Sequence, residues 1–137
     1  MDDVERVERA MVAIRRRQTR RALAKEGEPA GQSFDVLDVI EATPQPSVSA
    51  VASALAVDQP RASKLVAAAV AEDLVRRVAD QTDGRRSVLV LTERGREILE
   101  RSHARRRAAF ETAMTGWTAG ERGEFARLLD RFVRAMP

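Results

Sequence analysis

Two short groups of residues in this chain carry functional groups, and the chemistry they suit is recognition rather than bond making. Gln59, Arg61, Ser63 and Lys64 fall within one short stretch and offer an amide, a guanidinium, a hydroxyl and an ammonium. These are the donors that pair with base edges and phosphate oxygens of a nucleic acid. A second group, Asp83-Gly84-Arg85-Arg86, places two arginines beside a turn signal.

Catalysis finds little support. There is one His, no Cys and no Tyr, so no cluster of nitrogen or sulfur metal ligands is expected, and no metal or cofactor is called for. A nucleophile elbow, a phosphate-cradling glycine loop and a dinucleotide fingerprint are all missing from the sequence. Asp80-Gln81-Thr82-Asp83-Gly84 has the look of a calcium loop, but its spacing is wrong, the closing Glu is absent, and Arg85 and Arg86 repel a cation. The chain is not expected to be an enzyme.

The elements that position these groups can be read from start and stop signals. Ser47 can cap a helix whose apolar residues Val48, Val51, Ala52 and Leu55 recur at helical spacing. A second helix start follows at Asp58, with Pro60 tolerated in the first turn. Along this second helix Ala62, Leu65, Val66, Ala69 and Val70 form one buried stripe, so Gln59, Pro60, Arg61, Ser63 and Lys64 point away from the core. Next comes a strand over Leu74-Val75-Arg76-Arg77-Val78, a break at Asp83-Gly84, and a second strand over Ser87-Val88-Leu89-Val90-Leu91. Two helices meeting at a tight turn, followed by a hairpin with arginines at its tip, make a winged helix-turn-helix.

The run LAVDQPRASKLVAAAVAEDLVRRVADQTDGRRSVLVLTERGREIL resembles the winged-helix core of the multiple-antibiotic-resistance (MarR) regulators. It carries their L-x-V-[SD] turn at Leu55 to Asp58, their wing pattern D-x-x-D-x-R at Asp80, Asp83 and Arg85, and the L-T-x-x-G of Leu91 to Gly95. One departure is Ala56, where such turns commonly place Gly; a positive φ there costs a Cβ-bearing residue on the order of 1 kcal/mol. The resemblance implies a dimeric DNA-binding regulator, with the helix from Asp58 in the major groove and Arg85, with Arg86 beside it, at the adjacent minor groove. It also implies that Asp83 braces the wing by pairing with nearby basic groups. A branch of this family senses oxidants through cysteine, which this chain lacks.

The remaining helices carry no signature of their own. A first helix is expected over Asp3 to Lys25, with Val4, Val7, Met11 and Ile14 on one side and Gly27 to Gly31 ending it. A second starts after Ser33, buries Phe34, Leu37 and Ile40, and stops at Thr43-Pro44-Gln45-Pro46. After the wing, a helix capped by Thr92 runs to about Thr115. A capping box at Thr118 to Glu121 opens the last helix, which carries Phe125, Leu128, Leu129, Phe132, Val133 and Met136 on one side. That stripe is too long for a helix lying alone on a small domain, so the terminal helices are expected to join two chains in a homodimer suited to a pseudo-palindromic site.

The expected fold class is therefore mostly α with a small β-hairpin wing. One domain covers residues 1–137, with a winged helix-turn-helix core over 33–95 and dimerisation helices over 1–32 and 96–137. The formal charge is +3. Between Arg61 and Arg96 there are eight basic residues against five acidic ones, a mild excess located where phosphate is met. No apolar run is long enough to span a bilayer, and a cytoplasmic protein without a membrane partner is expected.

Arg15-Arg16-Arg17 and Arg105-Arg106-Arg107 fan around their helices and form no single surface. Gln18 falls within the apolar seam of the first helix with Arg15 at its edge; a polar residue there either fixes register or faces a cavity. His103 shares a side with Leu99, Phe110 and Met114, and is either a half-buried hydrogen-bonded residue or a ligand contact. By resemblance, a small aromatic or anionic molecule would bind between the terminal helices and the winged core. Patterning offers Met11, Arg15, Gln18, Leu37, His103 and Phe110 as its contacts, and each could equally be core. Two other readings stay open: an architectural winged helix that binds many DNA sequences alike, and a winged helix that binds protein.

Overall fold

The structure is a computed structural model that describes residues 1–24 and 31–137, with side chains described for 1–18 and 34–137. Its elements are α1 (Asp3–Ala24), α2 (Gly31–Ala42), α3 (Val48–Leu55), α4 (Gln59–Ala71), β1 (Val75–Ala79), β2 (Ser87–Leu91), α5 (Glu93–Ala113) and α6 (Ala119–Ala135). The expected end of the first helix, Lys25 to Ala30, lies outside the described residues. Helix α2 begins at Gly31, ahead of the expected start after Ser33. Glycine and glutamine are compatible with a first helical turn, so the serine signal marked a boundary the backbone does not use.

Capping chemistry sets the other helix starts. Ser47 Oγ accepts from Ala50 N at 3.1 Å to open α3, and Asp58 Oδ1 accepts from Arg61 N at 2.8 Å to open α4. Both helices also end alike. Ala56 N–H donates to the Ser53 carbonyl and Val57 N–H to that of Ala52; in α4, Asp73 N–H donates to Val70 and Leu74 N–H to Ala69. This paired pattern is a Schellman ending, which needs a left-handed residue at its centre. Ala56 has φ 54° and Asp73 φ 60°. The short polar side chain of an Asp tolerates that region, whereas Ala56 bears its cost without compensation.

Strands β1 and β2 pair antiparallel, from Val75 opposite Leu91 to Ala79 opposite Ser87. Leu89 N–H also reaches the Pro46 carbonyl at 2.8 Å, tying the segment before α3 to the sheet. The core lies among α2, α3, α4, the sheet and the start of α5. Leu37, Val51, Ala62, Val66 and Leu99 are fully buried there, joined by Phe34, Val36, Ile40, Ala69, Leu74, Val75, Leu89 and Leu91. Of the expected α4 stripe, Leu65 and Val70 are half-buried against this cluster rather than inside it.

The junction at the start of α5 is the tightest part of the core. Thr92 Oγ1 donates to the Asp73 carbonyl at 2.6 Å and accepts from Gly95 N at 2.9 Å, while Thr92 N–H donates to the Leu74 carbonyl at 3.1 Å. A Cβ on Gly95 would sit 2.1 Å from the Leu74 carbonyl oxygen, which is backbone and cannot swing aside. Only glycine fits there.

The chain divides into two compact units, Met1–Arg101 and Ser102–Pro137. In the second, Thr118 and Glu121 form the expected capping box, with bonds of 2.9 and 3.1 Å. Trp117 packs edge-on against Phe125, ring centroids 5.4 Å apart. Among the described residues, no helix is long and apolar enough to cross a membrane.

Two substitutions test these backbone constraints. Ala56→Gly is expected to raise unfolding free energy by up to about 1 kcal/mol, since glycine adopts positive φ freely. Gly95→Ala is expected to lower it by at least about 2 kcal/mol, through a clash no side-chain rotation can relieve. Urea denaturation of the two variants beside the parent protein measures both.

Candidate nucleic-acid interface

Every residue of the two recognition groups is exposed. Gln59, Pro60, Arg61, Ser63 and Lys64 all lie on the solvent side of α4, as the apolar stripe requires, with Ala62 and Val66 buried behind them. The Asp58 cap satisfies one of the free N–H groups in the first turn, so the helix is firmly started at the end that carries these side chains. At its other end α4 is held through Asp73 and Leu74 by the Thr92 junction. The reading face is thus fixed at both ends.

The wing rises from the same junction. Asp83, Arg85 and Arg86 sit at its tip and are exposed. The tip is shaped by hydrogen bonds alone, since residues 80–86 include no apolar side chain. Asp80 N–H donates to the Arg86 carbonyl at 2.9 Å, extending the ladder one rung past Ala79 and Ser87. Arg86 N–H donates to the Asp83 carbonyl at 3.0 Å, closing a four-residue turn with Gly84 and Arg85 at its centre. Arg85 N–H donates to Asp83 Oδ1 at 3.1 Å. Asp83 thus holds the backbone of Arg85, a different contact from the pairing with basic groups that the resemblance implies.

A second brace was not singled out from the sequence. Asp80 Oδ1 accepts from both the N–H and the hydroxyl of Thr82, each at 2.9 Å. These bonds, with the Arg86 cation nearby, hold the Asp80 carboxyl below its ordinary range. Because its folded pKa is lowered, the brace is present at neutral pH and is lost only as pH falls through the carboxylate range. The signal was available: an Asp two residues before a Thr, and another two before an Arg, is the spacing of side-chain-to-backbone turns.

The residues expected to meet a small molecule lie in both units. In the first, Met11 is half-buried, Arg15 and Gln18 are exposed on α1, and Leu37 is fully buried. In the second, His103 is half-buried and Phe110 is 54% exposed.

A two-helix unit with a hydrogen-bonded, arginine-tipped hairpin defines a winged helix-turn-helix protein. The sequence over residues 30–86 matches the MarR family profile. An HTH-type transcriptional regulator of Bacillus subtilis, YxaD, itself uncharacterized, is 30% identical over 88 residues, 64% of this chain and 62% of that protein's length. The fold is shared with Streptococcus pneumoniae FabT solved in complex with DNA, at TM-score 0.77 and 19% identity over 96% of each chain. It is shared also with Bordetella bronchiseptica BpsR, whose DNA binding is regulated by 6-hydroxynicotinic acid, at TM-score 0.71 and 20% identity over 99% of each chain. Residues 30–86 are thus similar to the MarR family, and the chain shares the winged helix-turn-helix fold of these solved structures.

Arg85→Ala removes a tip cation while leaving the turn's backbone bonds in place. It is expected to weaken duplex DNA binding by about 1 to 3 kcal/mol with an unchanged melting temperature. Fluorescence anisotropy and a thermal melt read the two quantities, and undiminished affinity would remove the wing from the interface.

Proposed function

We propose that this protein is a sequence-specific, dimeric DNA-binding regulator of transcription, and that it represses its targets until a small molecule releases it. The observation that carries this reading is the pairing of an outward-facing polar helix with a braced basic wing on one rigid core. Gln59, Arg61, Ser63 and Lys64 divide between base edges and phosphates in a major groove, with Pro60 against the groove wall, while Arg85 enters the neighbouring minor groove. Arg86 and Asp83 support that insertion. A DNA-bound role places the protein in the cytoplasm. The structural likeness to a DNA-bound regulator supports the docking mode.

The dimer is supported by the apolar side of α6. Phe125, Leu128, Leu129 and Phe132 are each between 36% and 46% exposed, and Val133 and Met136 are more so. A contiguous apolar strip of this kind marks an interaction surface. On α1, Val4, Val7 and Ile14 are exposed in the same way. We assign residues 1–32 and 96–137 to dimerisation and 33–95 to DNA reading, within one domain spanning residues 1–137. The ligand is a small aromatic or anionic compound; of the residues patterning offered for it, Leu37 is enclosed in the core and is not among its contacts. The regulation of BpsR by an aromatic acid supports that class.

Selection from random duplexes with the purified protein tests the central reading: a recovered inverted repeat supports it, and sequence-indifferent binding overturns it. Leu129→Arg is expected to give monomers or unfolded chains and to abolish tight binding, because one protomer holds only one half-site. Sedimentation of the wild type as a monomer at micromolar concentration would overturn the dimer. For the ligand, coupling is reciprocal: a compound that weakens DNA binding by about tenfold, or 1.4 kcal/mol, must itself bind about tenfold more weakly to the DNA complex. Calorimetry measures both legs, and a panel of aromatic carboxylates that neither raises the melting temperature nor releases DNA would sink the ligand.

A further inference from the structure

The wing tip poses a question of sign. Asp80 carries a negative charge beside Arg86 in a loop that, on the reading above, approaches a polyanion. By charge alone it opposes binding, and its removal strengthens the complex. Its geometry argues the other way.

The loop from Asp80 to Arg86 has no apolar anchor, and Gly84 at its centre has open space around it. Its shape depends on two aspartates, each bonded to a group two residues ahead. Asp83 orders the half that carries Arg85. Asp80 orders the half that precedes it, through the N–H and hydroxyl of Thr82. Asp80 is half-buried at the top of the hairpin, and its own N–H forms the last rung to Arg86. It is therefore the link between the regular ladder and the tip. Freed from Asp80, residues 81 and 82 have neither a backbone nor a packing restraint of their own among the described interactions, and the Asp83 turn hangs from a mobile arm.

We propose that Asp80 is a positioning residue for DNA binding: it touches no DNA, and through Thr82 it fixes the tip so that Arg85 and Arg86 are presented already ordered. The proposal rests on the reading that the wing engages DNA. Without Asp80 the loop must be ordered at the moment of binding, and fixing the backbone of about one residue corresponds to roughly fivefold to thirtyfold in affinity. Asn keeps the Oδ1 acceptor and drops the charge, so it separates order from electrostatics.

The test uses the full chain and a labelled 30-base-pair duplex of mixed sequence, read by anisotropy at fixed low salt. Wild type, Arg85→Ala, Asp80→Ala, Asp80→Asn and Thr82→Val are compared, with thermal melts to confirm folding. Asp80→Ala is expected to bind about fivefold to thirtyfold more weakly despite its more positive charge, while Asp80→Asn matches or exceeds wild type. Thr82→Val keeps the N–H bond and is expected to fall between wild type and Asp80→Ala. Amide exchange at Thr82 should be fast in Asp80→Ala and slow in Asp80→Asn. If Arg85→Ala weakens binding while Asp80→Ala binds as tightly as wild type or better, the positioning role alone is overturned. If Arg85→Ala binds as wild type does, the wing's part in DNA binding fails, and the positioning role falls with it.

Discussion

Everything at the recognition face hangs from one hydroxyl. Thr92 Oγ1 donates to the carbonyl of Asp73, the left-handed residue that ends α4, and accepts from Gly95 in the first turn of α5. A threonine hydroxyl has one proton to give, and here it is used while the oxygen also accepts, leaving little freedom to rotate. The Leu74 carbonyl between them takes the Thr92 N–H and occupies the space that a Cβ at Gly95 would need. Within one cluster of bonds the end of the reading helix, the feet of both strands and the start of α5 are fastened together. Displacing any one of them breaks bonds made by the other two. Helix α4 and the base of the wing therefore behave as a single body, and what freedom the recognition face has is concentrated at the wing tip.

The parts of this arrangement that were legible in the sequence are those governed by neighbours in the chain. Caps act over three residues, and Ser47, Asp58 and Thr118 each make the expected bond. The cost at Ala56 could be foreseen as well, because a tight turn between two helices demands a left-handed residue whatever its side chain, and the observed φ is positive. The outward face of α4 followed from its apolar stripe. What was not legible depends on residues brought together from afar. The need for glycine at position 95 comes from a carbonyl twenty-one positions earlier, at Leu74, and no local rule announces that approach. The Asp80 brace is a different case: its signal is local, but the same residues carry the look of a calcium loop, and a sequence alone does not say which hydrogen bonds a carboxylate in such a loop makes.

Among the described residues, the buried core spans residues 34 to 99. Side chains such as Leu37, Val51 and Val66 are fully enclosed, whereas those on α6 are left more than a third exposed. Burying one such Leu or Phe is worth about 1.5 to 3 kcal/mol, so half-exposed apolar faces on α1 and α6 represent stabilisation that a single chain does not collect. On the proposed reading, folding of the terminal helices and pairing of chains are the same event, and DNA affinity inherits the concentration dependence of the dimer.

The wing also shows how geometry and charge are balanced against each other. Two aspartates precede two arginines, so the tip carries almost no net charge, and long-range attraction for a polyanion is correspondingly weak. What the acids supply instead is order: each takes the N–H of the residue two positions on and holds the loop in one shape. A tip built only of cations would attract DNA from farther away but would bind it in many orientations, favouring any sequence equally. On the proposed reading, a braced, nearly neutral tip gains most from a groove whose width matches it, since a narrow minor groove concentrates negative potential at the point where an ordered arginine would enter. On that reading, the acids at Asp80 and Asp83 thus exchange long-range attraction for an ordered tip. That order, on the same proposed reading, complements α4, where the exposed Gln59, Arg61, Ser63 and Lys64 divide between base edges and phosphates.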